Sequence, residues 1–496
     1  MGPSKSEGLY LGFDIGTQAT KGLALDAATA QVVARSGRSY GLIPGLPPGA
    51  AEQDPRTWVE AVREVAAELL SVPGVDRARV RGVGVSGQQH GLVVLDAEDQ
   101  VVRAAKLWCD TTTAEEALEL SREFGRAIPA GFTAPKILWM KRHEPELWPR
   151  VRSILLPHDY VNFRLTGRKT MEAGDASGTG FFDPVGRAFD EEAVERIDSR
   201  LAKMLPPIIS AGSPAGALSA EGAALLGLEE GILVAAGGGD NMMSAIGSGA
   251  TSPGVVVVSL GTSGTAFAYS DRPVIDPDGL IAPFCDSTGG WLPLLCVMNM
   301  TGVTEEVRAA FEGQEGDVAA LTHAAAGVPP GCDGLLFLPI LQGERVPNLP
   351  KASGVLAGIR PGLLRREYLF RAALEGTSLS LALGMERMKK LGIAVESVRL
   401  VGGGSPNPVW REILADVLEM PVVRLAEPES AALGAAIQAL WTARREAGED
   451  VSADAVAAPF VRTERKATLP DPARSRTYRD ARARFQDLTE RIFQTP

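Results

Sequence analysis

Residues 9–17, LYLGFDIGT, form an apolar segment that runs directly into a Gly-Thr turn. A second apolar segment follows at residues 21–26, so the start of the chain predicts a β-hairpin. The pattern returns at residues 255–262, VVVVSLGT, where the Gly-Thr pair again leads into an apolar segment. Residues 15–20, IGTQAT, align with residues 260–265, LGTSGT, and each copy opens a comparable half. The sequence therefore predicts two halves of similar plan.

The boundary between the halves is predicted in residues 247–254, GSGATSPG, because this stretch is small and turn-rich. It divides the chain into an N-terminal domain of residues 1–247 and a C-terminal domain of residues 248–496. Each predicted domain is large enough to bury its own core.

Helical and strand patterns alternate along both halves. Asp54-Pro55 signals a helix start, and the apolar stripe Trp58, Val62, Val65 and Leu69 follows at helical spacing. Further helices are predicted at residues 365–391 and 471–493, and a strand at residues 335–341. Short strands alternating with periodic helices indicate an α/β fold.

The composition excludes several classes of function. The 496 residues carry 50 Lys and Arg against 61 Asp and Glu, a net charge of −11. This balance argues against binding to nucleic acid or to anionic membranes. The net charge does not exclude a small phosphorylated ligand, because backbone amides bind phosphate without a basic surface.

The chain contains four cysteines without C-x-x-C spacing, which we expect to be reduced thiols. The apolar runs are too short to span a bilayer, and the polar start has no signal-peptide core. We therefore expect a cytoplasmic protein that associates with no membrane.

The two Gly-Thr turns are candidate phosphate loops, formed by Gly16, Thr17, Gly261 and Thr262. Glycine there allows close approach, and backbone N–H groups then face the phosphate oxygens. Taken singly, each copy is more simply explained as an ordinary hairpin turn, whereas the pair, one in each half, indicates a nucleotide held between two similar domains. Asp14, just before the first turn, is placed to orient Mg²⁺, although an Asp capping its own turn is the simpler interpretation. No Walker A signature occurs.

Three further segments follow strands. In residues 237–241, GGGDN, Asp240 is a candidate general base, with Asn241 beside it to orient a hydroxyl. In residues 86–91, SGQQHG, the Gln89–His90 pair suits a polyol or a carbonyl. In residues 402–408, GGGSPNP, a flat glycine surface can lie under an adenine ring next to Asn407. Gly-rich turns and a structural histidine are the alternatives for these segments.

Together these motifs resemble the FGGY family of carbohydrate kinases, within the actin-like and hexokinase-like ATPase superfamily. The resemblance covers residues 10–440 and is carried by FDIGT, GQQHG, GFTAPK, GGGDN, SLGTSG and GGGS, in that order. It implies two ribonuclease H-like α/β domains with a cleft between them. It also implies ATP and Mg²⁺ as cofactors, and a small sugar as the acceptor.

Carried over to this chain, the resemblance implies a role for each matched residue. Asp240 is the general base; Gln89, His90 and Asn241 contact the sugar; Asp14 is the metal-side carboxylate. The nucleotide is held by Gly16, Thr17, Gly261, Thr262, Gly403, Gly404 and Asn407. Some relatives have an arginine before the Phe-Thr pair, whereas Gly131 stands here, so that segment is given no substrate role.

The GQQHG and GFTAPK segments favour D-xylulose as the acceptor, giving D-xylulose 5-phosphate. Ribulose, ribitol and glycerol stay open as substrates. An actin-like or chaperone-like ATPase and a sugar-sensing regulator are the non-kinase alternatives. A homodimer is also left open.

Overall fold

The computed structural model describes residues 7–313 and 316–493. The strands in this part of the chain are β1 Leu9–Ile15, β2 Ala19–Asp26, β3 Gln31–Ser39, β4 Glu52–Gln53, β5 Val80–Gly87, β6 Val93–Leu95, β7 Ala105–Lys106, β8 Ser153–Leu155, β9 Met171–Glu172, β10 Phe182–Asp183, β11 Ala188–Phe189, β12 Ile208–Ile209, β13 Pro214–Ala217, β14 Leu233–Ala235, β15 Gly238–Gly239, β16 Gly254–Leu260, β17 Gly264–Ala268, β18 Ile281–Cys285, β19 Trp291–Val297, β20 Leu336–Leu338, β21 Val355–Ala357, β22 Val395–Val401 and β23 Val422–Arg424.

The α-helices in the same part are α1 Pro55–Ser71, α2 Ala114–Phe124, α3 Thr133–His143, α4 Pro157–Thr166, α5 Ala173–Ala176, α6 Glu191–Ile197, α7 Ala220–Leu226, α8 Asp240–Ser248, α9 Thr301–Glu312, α10 Val318–Ala326, α11 Arg366–Lys390, α12 Pro408–Leu418, α13 Ser430–Glu446, α14 Ala453–Ala457 and α15 Pro472–Phe493.

Two sheets of equivalent topology carry the two halves. The N-terminal sheet has the order β13-β14-β5-β1-β2-β3, with β15 also paired to β5, and the C-terminal sheet has the order β18-β19-β17-β16-β22-β23. In each, an antiparallel hairpin (β1–β2 or β16–β17) lies beside a parallel strand (β5 or β22). The predicted α/β fold with two halves of similar plan is confirmed.

Helix α1 forms as its sequence predicts. The Asp54 side chain accepts a hydrogen bond of 3.0 Å from Arg56 N, and Pro55 occupies the first turn. The apolar stripe of α1 is buried against the N-terminal sheet at Trp58, Val62, Val65 and Leu69. The predicted long helices at residues 365–391 and 471–493 are likewise present as α11 and α15.

Two predictions of local structure were partly wrong. The predicted turn-rich stretch 247–254 overlaps the end of α8. This helix ends at Gly249, whose φ of +70° is left-handed, and not at Gly247. The apolar run 335–341 contains a strand only at β20, since Pro339 has no N–H to continue a ladder.

Helix α13 packs against the N-terminal sheet, although it belongs to the C-terminal half by sequence, and its apolar residues share a hydrophobic cluster with residues of both halves. A β-carbon at Gly12 of β1 would be 2.0 Å from the Ala432 carbonyl oxygen. One at Gly84 of β5 would be 1.9 Å from the Ala435 carbonyl oxygen. These glycines let the helix backbone touch the N-terminal sheet, so α13 joins the two halves in one core.

The four cysteines are free thiols, as predicted; Cys285 and Cys332 are buried, and Cys109 and Cys296 are half-buried. In the part of the chain described, no helix combines the length and the apolarity needed to cross a membrane.

Candidate active site

The two Gly-Thr turns occupy the same place in their sheets. Each turn follows a strand, β1 or β16, that pairs with an antiparallel strand on one side and with a parallel strand on the other. The first turn closes with a hydrogen bond of 2.9 Å from Gly16 N to Ala19 O. The second is braced by Thr301 N, which donates to Gly261 O at 2.9 Å. Both predicted phosphate loops therefore lie at equivalent strand ends.

The side chain of Thr17 is already engaged within the N-terminal half. Its hydroxyl donates to Gln88 Oε1 at 2.9 Å and accepts from Trp108 Nε1 at 3.0 Å. Gln53 Nε2 donates to the Thr17 carbonyl at 2.7 Å and thereby fixes the backbone. The first loop thus offers its backbone amides to a phosphate more readily than the Thr17 hydroxyl.

Asp14 is half-buried at the end of β1. It lies opposite Ser86 of β5, which in turn lies opposite Gly238 of β15, so the three residues form one row across the sheet. The Ser86 hydroxyl donates to Asp14 Oδ1 at 2.7 Å. Burial raises the pKa of the Asp14 carboxyl, and the Ser86 hydrogen bond opposes that rise.

Asp240 is the first residue of α8 and stands beyond the end of this row. Its Oδ1 accepts hydrogen bonds from Asn241 N at 2.7 Å and from Asn241 Nδ2 at 3.0 Å. Desolvation raises the pKa of Asp240 to about 8, and the charge of Asp14 contributes to the rise. A carboxyl with a pKa near the working pH suits a general base.

Asn241 connects Asp240 to the neighbouring strand ends. Its Nδ2 also donates to Gln89 Oε1 at 2.8 Å, and its Oδ1 accepts from Thr265 Oγ1 at 3.3 Å. Gln89 is buried and donates to the sulphur of Met242 at 3.3 Å. The predicted sugar contacts Gln89, Asp240 and Asn241 are therefore brought together.

His90 lies at the edge of the same group, with its ring 4.9 Å from that of Phe132 and 5.8 Å from that of Phe284. Its Nδ1 is buried and has no hydrogen-bond partner among the described residues. Burial lowers the pKa of the imidazole well below its usual value. A neutral imidazole with a free nitrogen can bind a sugar hydroxyl.

Sequence reasoning quoted Lys136 in a motif but gave it no role. This lysine is fully buried, and its Nζ donates to the carbonyls of His90 and Phe132, both at 3.0 Å, and to that of Gly131. Burial lowers the pKa of Lys136 to about 7. The lysine fixes the backbone at His90. Its role could not be predicted from the sequence, because its partner His90 lies 46 residues away.

A cavity of about 850 Å³ lies between the second Gly-Thr loop and the start of α12. Its lining includes Gly261, Thr262, Gly403, Gly404 and Asn407, the predicted nucleotide residues of the C-terminal half. Gln18 adds an N-terminal residue next to the first loop. Its volume lies within the range of small-molecule and cofactor sites.

The side chain of Asn407 also has a structural role at the start of α12. Its Oδ1 accepts from Trp410 N at 3.1 Å and caps α12, while its Nδ2 donates to Thr322 Oγ1 at 3.0 Å. Both ends of the amide are engaged within the protein. Asn407 therefore both caps α12 and lines the cavity, and its contact with adenine stays a prediction.

Comparison with known proteins identifies the family. Residues 9–247 match the N-terminal domain of the FGGY family of carbohydrate kinases, and residues 256–443 match its C-terminal domain. The chain is 38% identical to the xylulose kinase of Haemophilus influenzae over 449 residues, covering 87% of this chain and 90% of that protein. It is 40% identical to the xylulose kinase of Streptomyces coelicolor over 462 residues, 91% of each chain.

Solved structures of related sugar kinases have the same fold as this chain. A xyloylose kinase from Brucella ovis superposes with a TM-score of 0.90 at 31% identity, over 98% of this chain and 99% of that one. A xylulose kinase from Rhodospirillum rubrum gives a TM-score of 0.87 at 29% identity, over 98% and 100% of the two chains. The protein is a two-domain sugar kinase that uses ATP and a small sugar, and it belongs to the FGGY family of carbohydrate kinases.

Proposed function

We propose that this kinase transfers the γ-phosphoryl group of ATP to D-xylulose, giving D-xylulose 5-phosphate and ADP. The main observation in support is the arrangement around Asp240, the first residue of α8. Its carboxyl has a raised pKa, and Asn241 connects it to Gln89 by hydrogen bonds. The names of the relatives at 38% and 40% identity support xylulose as the sugar.

In the proposed reaction, Asp240 accepts the proton of the acceptor hydroxyl. The hydroxyl oxygen then forms a bond to the γ-phosphorus, and the bond from that phosphorus to the β–γ bridging oxygen breaks to leave ADP. Asn241, Gln89 and His90 orient the sugar. Positioning and electrostatic stabilisation account for most of the rate enhancement in phosphoryl transfer.

The phosphates are assigned to the two Gly-Thr loops. Thr17 presents its backbone amide from the N-terminal half, where Gly16 allows close approach while its own N–H holds the turn to Ala19 O. Gly261 and Thr262 form the corresponding loop of the C-terminal half. Gly403, Gly404 and Asn407 line the cavity and are assigned to the adenosine. Because amide dipoles bind phosphate, a protein of net charge −11 needs no basic surface for this purpose.

Asp14 is the residue assigned to Mg²⁺. Among the described residues, no group of three or more His, Cys, Asp and Glu side chains is arranged to hold a metal ion. A single carboxylate fits Mg²⁺ nevertheless, because this ion is usually held by one or two carboxylates together with waters and phosphate oxygens. When bound, Mg²⁺ offsets charge on the β- and γ-phosphates.

We also propose that the domains divide between residues 247 and 248, at the end of the first matched family segment. A homodimer stays a prediction. A partner-driven ATPase is not favoured, because it has no use for the polar Gln89–Asn241 group beside the base.

The test is a coupled ADP-release assay over a panel of D-xylulose, ribulose, ribitol, gluconate and glycerol. We expect the highest kcat/KM with D-xylulose. Turnover of another sugar without turnover of D-xylulose would replace the assignment of the substrate. An absence of sugar-dependent ADP release across the panel would contradict the proposed kinase activity on these acceptors.

A further inference from the structure

A buried side chain of α13 holds the turn that precedes Asp240. Gly237 N donates to Gln438 Oε1 at 2.8 Å, and Gln438 Nε2 donates back to Gly237 O at 3.1 Å. Gln438 is 1% exposed. One amide therefore satisfies both backbone groups of a residue that lies three positions before the proposed base.

Only glycine fits at position 237 of this turn. Its φ of +76° is left-handed, and a β-carbon would lie 2.6 Å from Val85 O and 2.9 Å from His158 Cδ2. From the N-terminal half, Asn162 Nδ2 holds the preceding carbonyl, that of Ala236, at 2.8 Å. Gln438 is the corresponding support from the C-terminal half, and it holds both polar groups of Gly237.

The helix that carries Gln438 is itself fixed against the helix that Asp240 begins. A β-carbon at Gly434 of α13 would be 1.8 Å from Met243 O of α8. One at Gly247 of α8 would be 1.9 Å from Ser430 O of α13. Since the two backbones touch at two levels, the Gln438 amide has a fixed position relative to Asp240.

From this arrangement we infer that Gln438 is a positioning residue for Asp240. It sets the path of the backbone from Gly237 into the first turn of α8. The inference rests on the proposed role of Asp240 as the base, and it adds a residue from outside every motif used to recognise the family. Without the amide, two buried backbone groups lose their partners, and the turn must shift to find others.

The experiment compares Gln438→Met with a matched control on the same helix. Methionine keeps the length and volume of the side chain but makes neither hydrogen bond. The control is Thr442→Val, because Thr442 lies one turn further on, is fully buried, and its hydroxyl has no partner among the described residues. Gln438→Asn is the second variant; its shorter side chain keeps an amide that does not reach Gly237.

We expect kcat of Gln438→Met and of Gln438→Asn to fall by about 10- to 100-fold, the usual result of a misplacement near 1 Å. The KM for ATP should stay within about twofold of wild type, since the nucleotide cavity is remote from the turn. Thr442→Val should keep the wild-type kcat. ATP-binding stoichiometry, measured by calorimetry, gives the concentration of folded sites, and kcat is expressed per folded site.

Two outcomes would overturn the inference. One is a wild-type kcat per folded site in the Gln438 variants, even with a lower melting temperature, because the amide would then contribute only to stability. The other is an equal loss in Thr442→Val, which would assign the effect to general packing of α13. If Gln438→Met does not fold, Gln438→Asn decides by the same measure. A wild-type enzyme without sugar-dependent turnover would instead refute the proposed function.

Discussion

Asn241 donates a hydrogen bond of 2.8 Å from its side-chain amide to Gln89 Oε1. The same Nδ2 donates to Asp240 Oδ1 at 3.0 Å, so one amide joins the proposed base to a residue of a different strand end. This link fixes the orientation of both side chains before any sugar arrives. Preorganisation of this kind reduces the reorganisation needed in the transition state.

We predict that Asn241→Ala lowers kcat/KM for the sugar by about 10- to 100-fold, the scale of losing a hydrogen bond to a charged group. The physical reason is that Gln89 and the Asp240 carboxylate lose their shared donor. Steady-state kinetics with varied sugar measures the effect. The exposed residue Asn348 provides the control, Asn348→Ala, which should behave as wild type. An unchanged kcat/KM in Asn241→Ala would show that the link is not used in catalysis.

We predict that Asp240→Asn lowers kcat by about 10²-fold or more, because an amide accepts no proton from the acceptor hydroxyl. ATP affinity should be kept, since Asp240 does not line the nucleotide cavity. Turnover by coupled assay and ATP binding by calorimetry test the two parts. The control Asp450→Asn changes an exposed carboxylate and should leave both unaltered. Near-normal turnover in Asp240→Asn would mean that another group is the base.

We predict that kcat/KM rises with pH up to about 8, because the base acts in its ionised form and its pKa is raised to about 8. Asp240→Asn should lose this rise in its residual activity. A profile of wild type that is flat from pH 6 to pH 9 would contradict the raised pKa.

The same shift predicts a dependence of stability on pH. Because the folded pKa of Asp240 lies above the unfolded value of about 3.9, the folded state keeps a proton that the unfolded state has released. Stability therefore falls as the pH rises from about 4 to about 8. Melting temperatures of wild type and Asp240→Asn at pH 5.5 and pH 8.5 test this, and the wild type should lose more. An equal loss in both proteins would show that Asp240 does not cause the slope.

We predict that Gly403→Val raises the KM for ATP by about tenfold with an unchanged melting temperature. A β-carbon at Gly403 meets no atom within 4 Å, and the residue lines the nucleotide cavity, so valine occupies ligand space without straining the fold. Gly41→Val is the control, since Gly41 has equally open surroundings outside the cavity. A wild-type KM in Gly403→Val would place the nucleotide elsewhere.

Much of this architecture can be predicted from local patterns. The two Gly-Thr turns follow apolar strands, and a turn of that kind depends on the residues within it. Helix α1 is predicted by the Asp54-Pro55 start signal and by its stripe of apolar residues. The residues that gather at the cleft, such as Asp14 and Asp240, are recognisable because each directly follows or ends a strand.

The missed features depend on distant partners. Gln438 is an ordinary polar residue within an apolar helix, and only the fold brings it to Gly237, 201 residues earlier. Lys136 has the same explanation, since its partner His90 is 46 residues away. The capping of α12 by Asn407 was also missed, although an Asn directly before a proline at the first helical position is a local signal for it.

Helix α13 couples the two halves through direct backbone contacts. The N-terminal sheet meets this helix at Gly12 and Gly84, and α8 meets it at Gly247, with backbone in direct contact each time. A fragment that ended at the boundary between the matched family segments would leave those glycine surfaces uncovered. The two halves defined by sequence pattern therefore share one buried helix, and we expect the N-terminal half without α13 to be less stable than the full chain, because the apolar surface under the helix would face water.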